Sequence, residues 1–103
     1  MNLRQLKAFQ AVCRTGSITR ASELIHLSQP ALTRQIQDLE SFCGCKLFER
    51  TRHGIVLTDE GELFRVRAEE MLSLAERTQR ELKEAGGLSL IHISEPTRLD
   101  VIS

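Results

Sequence analysis

Tryptophan and tyrosine are absent, and four phenylalanines are the whole aromatic content. A platform that binds single strands by stacking bases on exposed rings is therefore excluded. No run of 18 or more apolar residues occurs, and the opening stretch MNLRQLKAFQ lacks the apolar core of a signal peptide. The sequence thus predicts a soluble, cytoplasmic protein with no membrane partner. Cysteine is scarce, and the Cys43-Gly44-Cys45 pair has neither the spacing nor the further ligands of a zinc site. No metal and no other cofactor is expected. What is present, 41% hydrophobic and 27% charged residues in a chain of 103, supports one small packed domain with an extension.

Net charge is also missing, because 14 basic and 14 acidic residues cancel. They are not evenly spread. Residues 1–57 carry eight Lys or Arg against four acids, whereas residues 58–87 carry five against eight. A basic head followed by an acidic helix suits a polyanion-binding domain with a solvated extension.

Within the head, Leu3, Leu6, Phe9 and Cys13 form a helical stripe that Gly16 ends, and Ser17 or Thr19 caps a second helix with Ala21, Leu24 and Ile25 inward. After His26 and Leu27, the stretch SQPALTRQIQDLE opens a third helix. Ser28 is its N-cap, Pro30 is tolerated in the first turn, and Leu32, Ile36, Leu39 and Cys43 form its buried stripe. Pro30, Arg34 and Gln37 point the other way, with Gln29 and Thr33 flanking them. On this segment alone an ordinary solvated face would look the same. Two short helices joined tightly, the second with an outward polar face, form the helix-turn-helix arrangement whose second helix enters the major groove.

KLFER and GIVLT are β-prone runs around TRHG, which predicts a hairpin wing with Arg52 and His53 at its tip. Such a tip suits a phosphate strand or the narrow minor groove. Beyond it, Thr58 can cap a long helix in which Phe64, Ala68, Met71, Ala75, Thr78 and Leu82 repeat at alternating spacings of four and three, a coiled-coil seam, although an amphipathic helix folded against its own domain would show the same row. The fold expected is mainly α: a winged helix-turn-helix of three helices and a β-hairpin over residues 1–58, then a linker and dimerisation helix over residues 59–87.

The blocks LRQLKAFQAV, GSITRASELIHLSQPALTRQIQDLE and LFERTRHGIVLTDEG resemble the amino-terminal domain of the LysR-type transcriptional regulators from about Met1 to Glu62. The resemblance implies a sequence-specific DNA-binding regulator, not an enzyme, with residues 28–37 as recognition helix and residues 47–57 as wing. Gln29, Pro30, Thr33 and Arg34 would then meet bases, since Gln pairs with adenine, Arg with guanine, and Pro or the Thr methyl can touch thymine. Ser17, Thr19, Arg20, Ser28, Gln37, Arg50, Thr51, Arg52 and His53 would serve the backbone and the wing. It also implies a homodimer through the linker helix, bound to an interrupted inverted repeat of double-stranded DNA. His53 stands where the family usually has Arg or Gly, and Cys43 and Cys45 stand where it has hydrophobes.

Residues 88–103, LSLIHISEPTRLDVIS, continue none of these patterns and resemble translated sequencing-library adapter, so they are expected to be a non-native, disordered tail. The native segment would then lack the family's effector-binding domain and with it any small-molecule effector. Two other classes compete. A thiol oxidoreductase would use Cys43 and Cys45, but no thioredoxin-like βαβ pattern surrounds them. A winged-helix module that binds protein instead of DNA uses the same fold.

Overall fold

The computed structural model describes residues 1–91, with side chains through Gly86. The elements in chain order are α1 (Leu3–Thr15), α2 (Ile18–Leu24), α3 (Gln29–Cys43), β1 (Phe48–Thr51), β2 (Gly54–Leu57) and α4 (Asp59–Ile91). The expected mainly α, winged helix-turn-helix architecture is what the chain adopts. Two compact units divide it, Met1–Leu72 and the stretch from Ser73 onward. The last four helical positions of α4 belong to the stretch read as a tail, and the remainder of that stretch lies outside the described residues.

Local chemistry sets the helix ends. Asn2 accepts from the Gln5 amide at 2.9 Å while the Gln5 side chain accepts from the Asn2 amide at 3.2 Å, a reciprocal capping box at the start of α1. Gly16 and Gly44 close α1 and α3 in the left-handed conformation, at φ of 66° and 74°. Ser17, not Thr19, caps α2, accepting from the Arg20 amide. In the turn between α2 and α3, His26 itself adopts positive φ, 58°. The Leu27 amide then reaches back to the Ser22 carbonyl at 2.9 Å, which turns the chain sharply into α3.

The first unit's core is built on Phe9. Its ring is fully buried, tilted against Phe48 at 5.0 Å and edge-on to Phe64 at 4.9 Å. Such aromatic pairs add about 0.5–1.5 kcal/mol each beyond the area they bury. Leu6, Val12, Ala21, Leu32, Ile36, Leu39 and Leu47 complete the packing from α1, α2, α3 and the foot of β1. Two stripe positions differ from expectation. Leu3 is 50% exposed and Leu24 53% exposed. Leu3 precedes the first residue that other helices cover, and in a two-turn helix the row through Ala21 and Ile25 faces the core, leaving Leu24 outside it.

The row along α4 meets the head first. Ala68 and Leu72 are buried in the first unit's core, and Phe64 and Met71 pack against it. The row read as one continuous seam therefore divides, its first three members serving the head. A four-three spacing specifies an apolar face and says nothing about whose surface covers it. Ala75 is half-buried, and Thr78 and Leu82 are exposed.

Where the wing returns to α4, Thr58 binds the chain twice: its amide donates to the Leu47 carbonyl at 3.0 Å and its hydroxyl to the Lys46 carbonyl at 2.7 Å. The same hydroxyl oxygen accepts from the Gly61 amide at 2.9 Å, capping α4 as expected. Gly61 is buried so tightly on Leu47 that a Cβ would overlap the Leu47 carbonyl oxygen and crowd the Leu57 side chain. Gly61→Ala should therefore lower stability by about 1–3 kcal/mol, the usual cost of overpacking, despite alanine's better helix propensity. Equal or higher urea midpoints for the variant would show that the helix start shifts freely.

Candidate nucleic-acid interface

The outward face of α3 begins at a well-formed cap. Ser28 Oγ accepts from the Ala31 amide at 3.2 Å, and Pro30 occupies the first turn, where its missing N–H costs nothing. With Leu32, Ile36 and Leu39 buried beneath, Gln29, Pro30, Arg34 and Gln37 are exposed and Thr33 is half-buried. These five and Asp38 line one open depression. Its guanidinium and amides offer donors and acceptors with the reach that base edges require.

A second groove runs beside the first. Ile18, Thr33, Gln37, Lys46, Arg50 and Ile55 are among its lining residues, so Thr33 and Gln37 border both concavities and Arg50 lies across from them. The hairpin explains the placement. β1 and β2 pair antiparallel with Arg50 opposite Ile55 and Thr51 opposite Gly54, leaving Arg52 and His53 as the two-residue turn. Thr51 stabilises the tip, its hydroxyl donating to the Gly54 carbonyl at 3.0 Å and accepting from the His53 amide at 3.2 Å. Gly54, at φ 114°, passes so close to the α1–α2 turn that a Cβ would lie 3.3 Å from the Gly16 carbonyl oxygen.

Thr19 and Arg20 are exposed on the first turn of α2, and Ser17 is half-buried and occupied by its cap. Thr51, Arg52 and His53 are exposed at the tip but do not line the groove that holds Arg50. Asp38 and Lys46 also line these depressions, and sequence reasoning singled out neither. Asp38 lies one residue past Gln37 on the helix, readable from the periodicity. Lys46 depends on where the connector after Gly44 runs, which no local pattern encodes.

The cysteines are free. Burial pushes the Cys13 thiol up to about 12, against a smaller opposing pull from the Arg65 guanidinium. Burial also raises Cys43, with Cys45 adding to the effect. A thiol kept protonated is a poor nucleophile. Cys13 in the folded protein should therefore be alkylated by iodoacetamide at pH 8 at least a hundredfold more slowly than in urea, because its thiolate appears only as pH climbs toward 12. Equal rates would place the thiol in water. Among the described residues, no three His, Cys, Asp or Glu side chains gather as a metal site, and no helix is long and apolar enough to cross a membrane.

Comparison with known proteins points one way. Residues 3–62 match the model for the bacterial regulatory helix-turn-helix protein, lysR family. The HTH-type transcriptional regulator TfdT of Cupriavidus pinatubonensis is 44% identical over 101 residues, covering 93% of this chain and 44% of its own length. The HTH-type transcriptional regulator TcbR of Pseudomonas sp. is 40% identical over 93% of this chain and 34% of its own. The chain thus spans less than half the length of these curated relatives. Among solved structures, the CbnR DNA-binding domain in complex with DNA superposes with a TM-score of 0.80 at 42% identity, covering 84% of this chain and 99% of that one. The BenM DNA-binding domain on catB site 1 DNA gives 0.79 at 36% identity, over 84% and 97%. The chain belongs to the lysR family of bacterial regulatory helix-turn-helix proteins, and its winged helix-turn-helix has the fold of the CbnR and BenM DNA-binding domains.

Proposed function

We propose that the start of α3 reads base edges in the major groove through Gln29, Pro30, Thr33 and Arg34, while α2 and the wing hold the phosphates on either side. The observation that carries this reading is the shared groove in which Arg50 of β1 faces Thr33 and Gln37 of α3. A cation one groove's width from the helix can grip the strand flanking the bases that the helix reads. Thr19, Arg20 and the caps Ser17 and Ser28 meet backbone on the side of α2, and Thr51, Arg52 and His53 do so at the wing tip. Two copies pair through the linker helix and engage an interrupted inverted repeat, as the two-fold symmetry of a dimer requires. The CbnR and BenM DNA-binding domains, solved in complex with DNA, support DNA as the ligand. No reaction, membrane or small-molecule effector is assigned to these residues, and the protein acts in the cytoplasm.

The test is the salt dependence of binding to random-sequence duplex DNA. Each neutralised phosphate releases counterions, so binding should weaken steeply as salt rises. Arg50→Ala and Arg52→Ala should each lower the slope of log affinity against log salt by about one unit, with little change in base preference. A flat salt profile would leave the protein-binding reading of the same fold; an unchanged slope in both variants would remove the wing from the interface.

A further inference from the structure

We propose that Glu40 is a positioning residue, setting the wing's distance from the recognition helix and thereby the grip of Arg50 on DNA. Glu40 sits near the end of α3, its side chain only 11% exposed. One carboxylate oxygen, Oε2, accepts from the Leu47 amide at 2.7 Å and from the Phe48 amide at 3.3 Å. The other, Oε1, lies 3.7 Å from Lys46 Nζ. Its backbone carbonyl accepts from the Gly44 and Cys45 amides at 2.8 and 3.3 Å. This one residue thus holds both the exit from α3 and the entry into β1.

The rest of the wing's foot is fixed from the opposite side, by the Thr58 bonds to the carbonyls of Lys46 and Leu47. The segment 46–48 is therefore clamped between a helix side chain and the return of the hairpin, with its amides on one side and its carbonyls on the other. Arg50 begins two residues further along β1. Since strand residues rise about 3.3 Å each, an error at Leu47 is carried directly to the guanidinium's place in the groove. Charge-assisted hydrogen bonds to backbone amides are short and directional, which suits a carboxylate to this task. Glu40 also lines that groove, but beside Lys46, where its charge is engaged.

The inference rests on the reading that the wing meets DNA, and a mutant cycle on the full chain, measured on random-sequence duplex DNA, separates the two. In the parent, Arg50→Ala should weaken binding about tenfold, as loss of a charged hydrogen bond does. In a Glu40→Ala background the same change should cost less than twofold, because the strand no longer delivers Arg50 to the phosphate. Glu40→Gln keeps an accepting oxygen and should restore most of the tenfold effect. Should Glu40→Ala fail to give a cooperative thermal transition, Glu40→Asp, which withdraws the carboxylate by one methylene and keeps its charge, takes its place in the cycle. A residue that supports only the fold would leave the Arg50 factor unchanged across backgrounds, and equal factors in parent and variant overturn the proposal. An Arg50→Ala change without effect in the parent would instead overturn the wing reading, and the role of Glu40 with it.

Discussion

Ala75→Glu combined with Leu82→Glu should reduce affinity for a duplex bearing two half-sites by about 10²–10⁴-fold while leaving binding to a single half-site nearly unchanged. The size follows from linkage: once one copy of a dimer is bound, the second meets its half-site at an effective concentration set by the tether, and a monomer loses that advantage. Ala75 and Leu82 are chosen because they lie beyond the core of the first unit, the former half-buried and the latter 67% exposed. Met71, by contrast, packs on that core, and a glutamate there would confound pairing with unfolding. Glutamates on a shared apolar seam would face like charges, which opposes association. Trimming residues 88–103 should leave both affinities as they were. Sedimentation together with gel shifts on one and two half-sites decides the matter: a variant that keeps the parent's preference for two half-sites would show that pairing does not use this face.

Arg34→Ala should cost about 1–3 kcal/mol on a site enriched from a random duplex library, which is roughly five- to 150-fold, and relax preference at one base pair. Arg34 is exposed on the first turns of α3, and no acidic partner within salt-bridge distance occupies its guanidinium among the described residues. Its donors are thus available as a planar fork, which matches the two acceptors of guanine in the major groove. The effect should divide unevenly between DNAs, large on the enriched site and small on scrambled sequence. This is the reverse of the wing variants, which weaken both. An unchanged ratio of enriched to scrambled affinity would assign Arg34 to the backbone.

Most of this architecture could be read from local pattern because local chemistry decides it. Ser28 before Pro30 announces the start of α3, Gly16 the end of α1, and Gly54 after a polar tip the hairpin. The Asn2 and Gln5 capping box is a local signal of the same kind. What could not be read were choices among partners. The row from Phe64 to Leu82 looked uniform, yet its first half meets Phe9 and the head's other buried side chains. Leu72 joins that core from outside the row altogether. The outward face of α3 was legible residue by residue, whereas its partnership with Arg50 and Lys46 depends on how the connector 44–47 is tied down. A glutamate reaching amides seven and eight positions ahead leaves no periodic trace.

The entry of α4 into the head's core also bears on how regulators of this kind can be recombined. A crossover placed at the end of the hairpin, after Leu57, would look natural, because it falls between a strand and a helix. It would nevertheless take Phe64, Ala68 and Leu72 away from their neighbours. Losing a half-buried phenylalanine and a buried leucine alone costs about 4–7 kcal/mol, a large part of the stability of a small domain. A donor head moved onto another regulator must bring its helix with it as far as Leu72, the last residue of its compact unit. The exchangeable part is a head with a stem, and chimeras joined beyond Leu72 should fold where those joined at Thr58 do not.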